Sequence, residues 1–136
     1  MASTFKIEIV TPERKFFEGE VEMLIARGIN GDFGILPNHT PFVSPLGIGR
    51  LILEKDGKER IAAVGEGYIE VNSDKTIIVA DTALWPDEID VERAKRAKDR
   101  AEKRLKGTHP DVDLMRAEVA LRKANVRIMV AKKHHR

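Results

Sequence analysis

Residues 5–10, FKIEIV, alternate apolar and polar side chains, which places Phe5, Ile7 and Ile9 on one face of a strand. VEMLIARG at 21–28 is a second candidate strand. IGRLILE at 48–54 is a third, with Ile48, Leu51 and Leu53 alternating less cleanly. KDGK at 55–58 reads as a tight turn, because Asp56-Gly57 suits the positive φ angles of a type I′ hairpin. RIAAVGEGYIEV follows at 60–71, then NSDK at 72–75 as another turn, then TIIVA at 76–80. Turn signals recurring roughly every 8–12 residues predict an antiparallel sandwich or barrel rather than strands alternating with helices.

One stretch departs from this pattern. GINGDFGILPNHTPFVSPL at 28–46 carries so many Gly and Pro breakers that a regular element is not expected. It reads as a long surface connection that tucks Phe33, Ile35, Leu36 and Phe42 back into the core. His39 lies within it, flanked by Asn38 and Thr40, and a lone loop histidine is expected to be hydrogen-bonded rather than catalytic. No Ser or Cys nucleophile with a nearby base stands out, so the pattern supports no acyl-transfer site.

Beyond Pro86 the period changes. From Asp90 to Lys106 there is neither Gly nor Pro, and Val91, Ala94, Ala97, Ala101 and Leu105 form one narrow helical stripe. Gly107 suits a C-cap and Pro110 the start of the next helix. That helix is predicted over 111–132, where Leu114, Ala117, Leu121, Ala124, Ile128 and Ala131 step by threes and fours, the seam pattern of packed helices. A connection this short makes the two helices antiparallel neighbours. Glu92–Arg96, Asp99–Lys103 and Glu102–Lys106 are placed to pair at i,i+4, each for about 0.2–0.5 kcal/mol. The first helix buries mostly alanine. At about 25 cal/mol per Å² its seam is worth only a few kcal/mol, and a ligand at about 1,000 times its dissociation constant contributes about 4 kcal/mol. A partner can therefore displace such an element.

Composition sharpens the division. Residues 1–86 hold 9 Lys/Arg against 13 Asp/Glu, whereas residues 87–136 hold 15 against 9. Nine of the ten glycines, every Phe, the Trp and the Tyr fall in the first segment. We therefore expect two domains, 1–86 and 87–136. There is no cysteine, which excludes disulfides and thiolate metal sites. No apolar run is long enough to span a membrane, and the start does not read as a secretory signal.

The bases of the second segment line up. Arg93, Arg96, Arg100 and Lys103 share one side of the first helix, and Arg116, Lys123 and Arg127 share a side of the second. They form either a solvated basic face or a surface for an acidic partner. Nucleic acid is not expected, because no aromatic residue follows position 86 and no recognition motif is present. The terminal KKHHR reads as a frayed basic tail, and no metal site is expected.

The ordered motifs resemble one known family over nearly the whole chain. GDFGILPNHTPFVSPL at 31–46 looks like the Gly-Ile-Leu-Pro-x-His-x-Pro loop of epsilon subunits of bacterial F-type ATP synthases. IEIVTPERKFFEGEVEML at 7–24, GEGYIEV at 65–71, TIIVADTA at 76–83, IDVERA at 89–94 and RAEVALRKANVRI at 116–128 are similar to further family segments. The resemblance implies a β + α fold: a ten-stranded antiparallel sandwich followed by a two-helix hairpin. It implies a non-catalytic rotor subunit of the central stalk, bound to the gamma subunit and the c-ring. The chain would be peripheral to the bacterial plasma membrane, on its cytoplasmic side.

It also assigns residues. Asp32 and His39 would lie on the side facing the c-ring and gamma. Arg93, Arg96, Arg100, Lys103 and Arg116 would meet an acidic loop of the catalytic alpha/beta subunits when the helices extend, restraining ATP hydrolysis. No cofactor is required, but some members bind regulatory ATP. The matching positions here are Asp90, Arg93, Ala94, Lys123 and Arg127. Lys123 stands where those members have Arg, and Leu84 where they carry an acid. Asp90 can equally be a helix cap worth about 1 kcal/mol. The reading from another class is a stand-alone nucleotide-sensing protein.

Overall fold

The computed structural model describes residues 3–107 and 113–134. Ten strands form two five-stranded sheets packed face to face. They are β1 (Phe5–Val10), β2 (Lys15–Val21), β3 (Met23–Gly28), β4 (Gly31–Ile35), β5 (Phe42–Leu46), β6 (Gly49–Lys55), β7 (Lys58–Val64), β8 (Gly67–Val71), β9 (Thr76–Ala80) and β10 (Ala83–Leu84). The first sheet has the order β2-β1-β9-β8-β5 and the second β10-β7-β6-β3-β4. All pairings are antiparallel except β1 with β9, which is parallel.

Period-2 alternation sends one row of each sheet into the interior. Ile7 and Ile9 meet Leu24, Leu51, Ile69 and Ile78, all no more than 1% exposed. The β6–β7 hairpin turns through Asp56 and Gly57, at φ 54° and 73°, as a type I′ turn requires. At the β8–β9 turn the Asn72 carboxamide accepts from the amides of Asp74 and Lys75 at 3.2 and 3.0 Å.

The stretch 28–46 is not the irregular connection that its composition suggests. It contains β4 and β5. Both strands lie at sheet edges, where a proline such as Pro45 can turn its missing donor away from the ladder. Ile35 is buried, and Phe33 and Phe42 pack against the core and meet edge to face, with their centroids 5.9 Å apart. Leu36 does not join them; it is 58% exposed. The strand β2, whose charges obscure its alternation, completes the first sheet.

Helix α1 runs Val91–Lys106 and α2 Leu114–His134. Gly107 caps α1 by donating its amide to the Lys103 carbonyl, with φ −81° rather than the left-handed conformation. The expected start of α2 at Pro110–Asp111 lies outside the described residues, as does the tail at 135–136. Asp113 supplies a cap instead, accepting from the Arg116 amide at 3.2 Å. Ala94 and Ala101 of α1 and Ala117, Ala124 and Ala131 of α2 are buried. Leu114 leaves the expected seam and is 52% exposed. Among the described residues the ion pair within α1 is Glu92–Lys95 at 3.7 Å, three residues apart, in place of the i,i+4 pairs.

Helix α2 lies along β6 and β7. This explains the imperfect alternation of β6: Leu51, Ile52 and Leu53 are all buried, because one face meets the core and the other meets α2. Val130 is fully buried on the helix side. The link before α1 is pinned to the sandwich. Trp85 stacks on Phe16 at 4.3 Å and carries the Arg60 guanidinium 3.8 Å above its ring. Pro86–Glu88 form a short 3-10 turn.

A candidate anion-binding cleft between sandwich and helices

Asp90 is the N-cap of α1, and its carboxylate accepts from the Arg93 amide at 3.1 Å. This orders the first turn, so Arg93, Ala94, Ala97 and Arg100 face across to Ala120, Lys123, Ala124 and Arg127 of α2. The small alanines keep the helices close and leave the long bases projecting at the rim. Thr11, Arg14, Asp81, Thr82 and Leu84 of the sandwich form the opposite wall. The resulting cleft has a volume of about 770 Å³, within the range of small-molecule sites. All five residues matched to nucleotide binding, Asp90, Arg93, Ala94, Lys123 and Arg127, line it.

Its electrostatics are uneven. Arg14 makes a bidentate pair with Glu88, at 2.7 and 2.8 Å, and donates to the Ala83 carbonyl at 3.1 Å. The hydrogen bond from Arg14 holds the Glu88 carboxyl below its usual pKa, and Glu88 also accepts from the Trp85 amide. Lys123 Nζ lies 3.1 Å from Asp81 Oδ2. Arg93, Arg100 and Arg127 make no ion pair within 4.0 Å among the described residues. Burial lowers the pKa of the Arg127 guanidinium, the charge of Arg93 lowers it further, and Asp81 opposes both. Arginines that repel one another in a cleft form a site to which an anion binds favourably.

The basic stripes divide when the helices are docked. Arg93, Arg100, Lys123 and Arg127 turn toward the cleft, whereas Arg96, Lys103 and Arg116 stay exposed away from it. Leu84, the position where an acid was missing, does line the cleft, and the carboxylate three residues earlier, Asp81, reaches Lys123. Neither Arg14 nor Asp81 carries a local sequence signal, since their partners lie 74 and 42 residues away.

Asp32 and His39 are not brought together. Asp32 sits at the β3–β4 hairpin end, between Arg27 at 3.5 Å and Arg50 at 3.2 Å. It shares a groove with Arg122 and Met129 of α2. His39 lies beyond the other end of β4, where its Nδ1–H donates to the Thr40 carbonyl at 2.7 Å. It borders a separate pocket with Asn72 and Lys75. No cluster of three metal-ligating side chains occurs among the described residues.

Residues 4–86 match the family model described as the beta-sandwich domain of the ATP synthase delta/epsilon chain. Residues 87–132 match the long alpha-helix domain of the same chain. The chain is 46% identical to the ATP synthase epsilon chain of Desulforamulus reducens over 96% of its length and 99% of that protein. It is 45% identical to the epsilon chain of Caldicellulosiruptor bescii over 96% and 95%. In fold it is similar to a chain of the Euglena gracilis mitochondrial ATP synthase OSCP/F1/c-ring structure, with a TM-score of 0.83 at 22% identity, covering 98% of this chain and 84% of that one.

Proposed function

This chain belongs to the ATP synthase epsilon-chain family, and from that premise we propose that it is a non-catalytic rotor subunit joining gamma to the c-ring. It restrains ATP hydrolysis through its basic helices and senses ATP in the cleft. Family membership over nearly the full length of its relatives disfavours the stand-alone nucleotide sensor. Among the described residues no helix is long and apolar enough to cross a membrane. The chain reaches the cytoplasmic side of the bacterial plasma membrane through its partners: gamma, the c-ring and the catalytic alpha/beta subunits. The similar Euglena gracilis chain belongs to an OSCP/F1/c-ring structure, which supports that reading.

The observation that carries the regulatory half is the convergence of Asp90, Arg93, Ala94, Lys123 and Arg127 on one cleft that exists only while the helices are docked. Arg93 and Arg100 then face the cleft and are withheld from an acidic partner. Released, they join Arg96, Lys103 and Arg116 in one basic surface for the acidic catalytic-subunit loop. Nucleotide phosphates would bridge Arg93 and Arg127 and favour the docked form; loss of nucleotide would free the bases to inhibit. Asp32 and His39 serve the c-ring and gamma side of the sandwich from two separate places.

The test is to add the purified chain to an epsilon-free catalytic head. Hydrolysis should fall, and it should recover when Arg93, Arg96, Arg100 and Lys103 are neutralised together. A head that binds the chain without losing activity would disprove the inhibitory role.

A further inference from the structure

We propose that Asp81 competes with the polyphosphate group of the nucleotide for Lys123: it holds Lys123 in the nucleotide-free cleft and must release it when the anion binds. The proposal rests on the nucleotide reading of the cleft.

The position of Asp81 is set by the fold rather than by its neighbours in sequence. The chain crosses between the sheets twice at one corner, from β7 to β8 and from β9 to β10, and the two crossings run side by side. The Gly65 amide donates to the Thr82 carbonyl, and the Asp81 amide donates to the Glu66 carbonyl, both at 2.9 Å. A Cβ at Gly65 would overlap the Asp81 carboxylate, so the glycine leaves open the space in which that carboxylate sits. The Thr82 hydroxyl lies 3.3 Å from Asp81 Oδ1. The other oxygen, Oδ2, is left to meet Lys123 Nζ at 3.1 Å. This contact ties the sandwich wall to α2 across the mouth of the cleft.

A carboxylate there has two opposed effects. Without ligand it attracts Lys123 and helps keep α2 docked. With an incoming polyphosphate it is a like charge beside the same lysine. Of the other carboxylates lining the cleft, Glu88 is committed to Arg14, Asp90 to the α1 cap, and Glu13 makes no ion pair within 4.0 Å among the described residues. Asp81 is therefore the carboxylate whose partner is also a candidate phosphate ligand. A residue that merely packed would lower both docking and binding when altered. A competitor must lower one and raise the other.

Calorimetric titration of ATP, with inorganic tripolyphosphate as a second probe, into the full chain and its variants tests this. Asp81→Asn, close to isosteric, should tighten ATP binding roughly fivefold, the scale of one like-charge contact removed near the surface. In nucleotide-free protein the same variant should increase deuterium uptake in α2. Lys123→Gln should weaken ATP binding, and adding Asp81→Asn to it should recover less than the gain that Asp81→Asn gives alone. Equal or weaker ATP binding by Asp81→Asn would overturn the competition, as would a full gain persisting without Lys123. If neither the native chain nor Asp81→Asn takes up ATP or tripolyphosphate, the nucleotide reading fails and the competition with it. Tripolyphosphate binding alone would show a phosphate site without nucleotide selectivity, which overturns the nucleotide reading but retains Asp81's role.

Discussion

The sandwich and the helical hairpin are held by different side chains. Of the nine largest fully buried side chains among the described residues, eight (Ile7, Ile9, Val21, Leu24, Ile35, Leu51, Ile69 and Ile78) lie in the sandwich, and one, Val130, lies in α2. The hairpin buries Ala94, Ala101, Ala117, Ala124 and Ala131 instead. Alanine permits close backbones but removes little area from water, so each helix–helix layer contributes far less than a strand layer. A branched aliphatic core makes one body that stays whole, and an alanine seam makes a second that can be exchanged for other contacts. This asymmetry suits a rotor subunit that must stay attached by one part while the other responds.

Ile69→Ala, at the centre of the sandwich, should cost about 2–5 kcal/mol and lower the denaturation midpoint of the whole chain. If it altered only the helices, the sandwich would not be the dominant body. Ala101→Leu should force the helices apart at a cost of about 1–3 kcal/mol. Deuterium uptake should rise in α1 and α2 and stay unchanged in β1, β8 and β9; equal change in the strands would mean that the two parts unfold together.

The smaller effects concern the joint and the cleft. Glu88→Gln should cost about 1 kcal/mol, discounted for the exposure of the pair. Because the folded-state pKa of Glu88 is lowered from 4.5, its contribution is fully present above that value and is lost as pH falls through the lower folded one. The native chain should therefore lose stability on that acid limb, and Glu88→Gln should show a flatter one in thermal melts. Lys123→Arg supplies a planar fork for phosphate and should tighten ATP binding by roughly threefold in calorimetry. A weaker affinity would mean that the ammonium–Asp81 contact is the one the cleft requires.

Much of the fold was legible locally. Alternation marked FKIEIV, the Asp56-Gly57 turn took the type I′ form, and Asp90 capped a helix ending at Gly107. The edge strands β4 and β5 were hidden, because at an edge only one side of the strand pairs, and Gly and Pro are tolerated there. Leu36 was misplaced for a related reason: hydrophobicity does not tell which loop side chains can reach the core. Asp90, Arg93, Ala94, Lys123 and Arg127 could be grouped through the family resemblance, but their spacing alone does not bring the residues of the two helices together.

The order of side chains along the chain was enough to specify periods, turns, caps and the charge contrast between the two segments, because each depends on neighbours a few residues apart. The cleft was not written there. Its sandwich wall, the Arg14–Glu88 clamp and the Asp81–Lys123 contact join residues 74 and 42 positions apart. Such contacts exist only once α2 lies on β6 and β7. Coulomb forces and hydrogen bonds depend on distance in space, and that distance is set by how the sheets cross and where the last helix comes to rest.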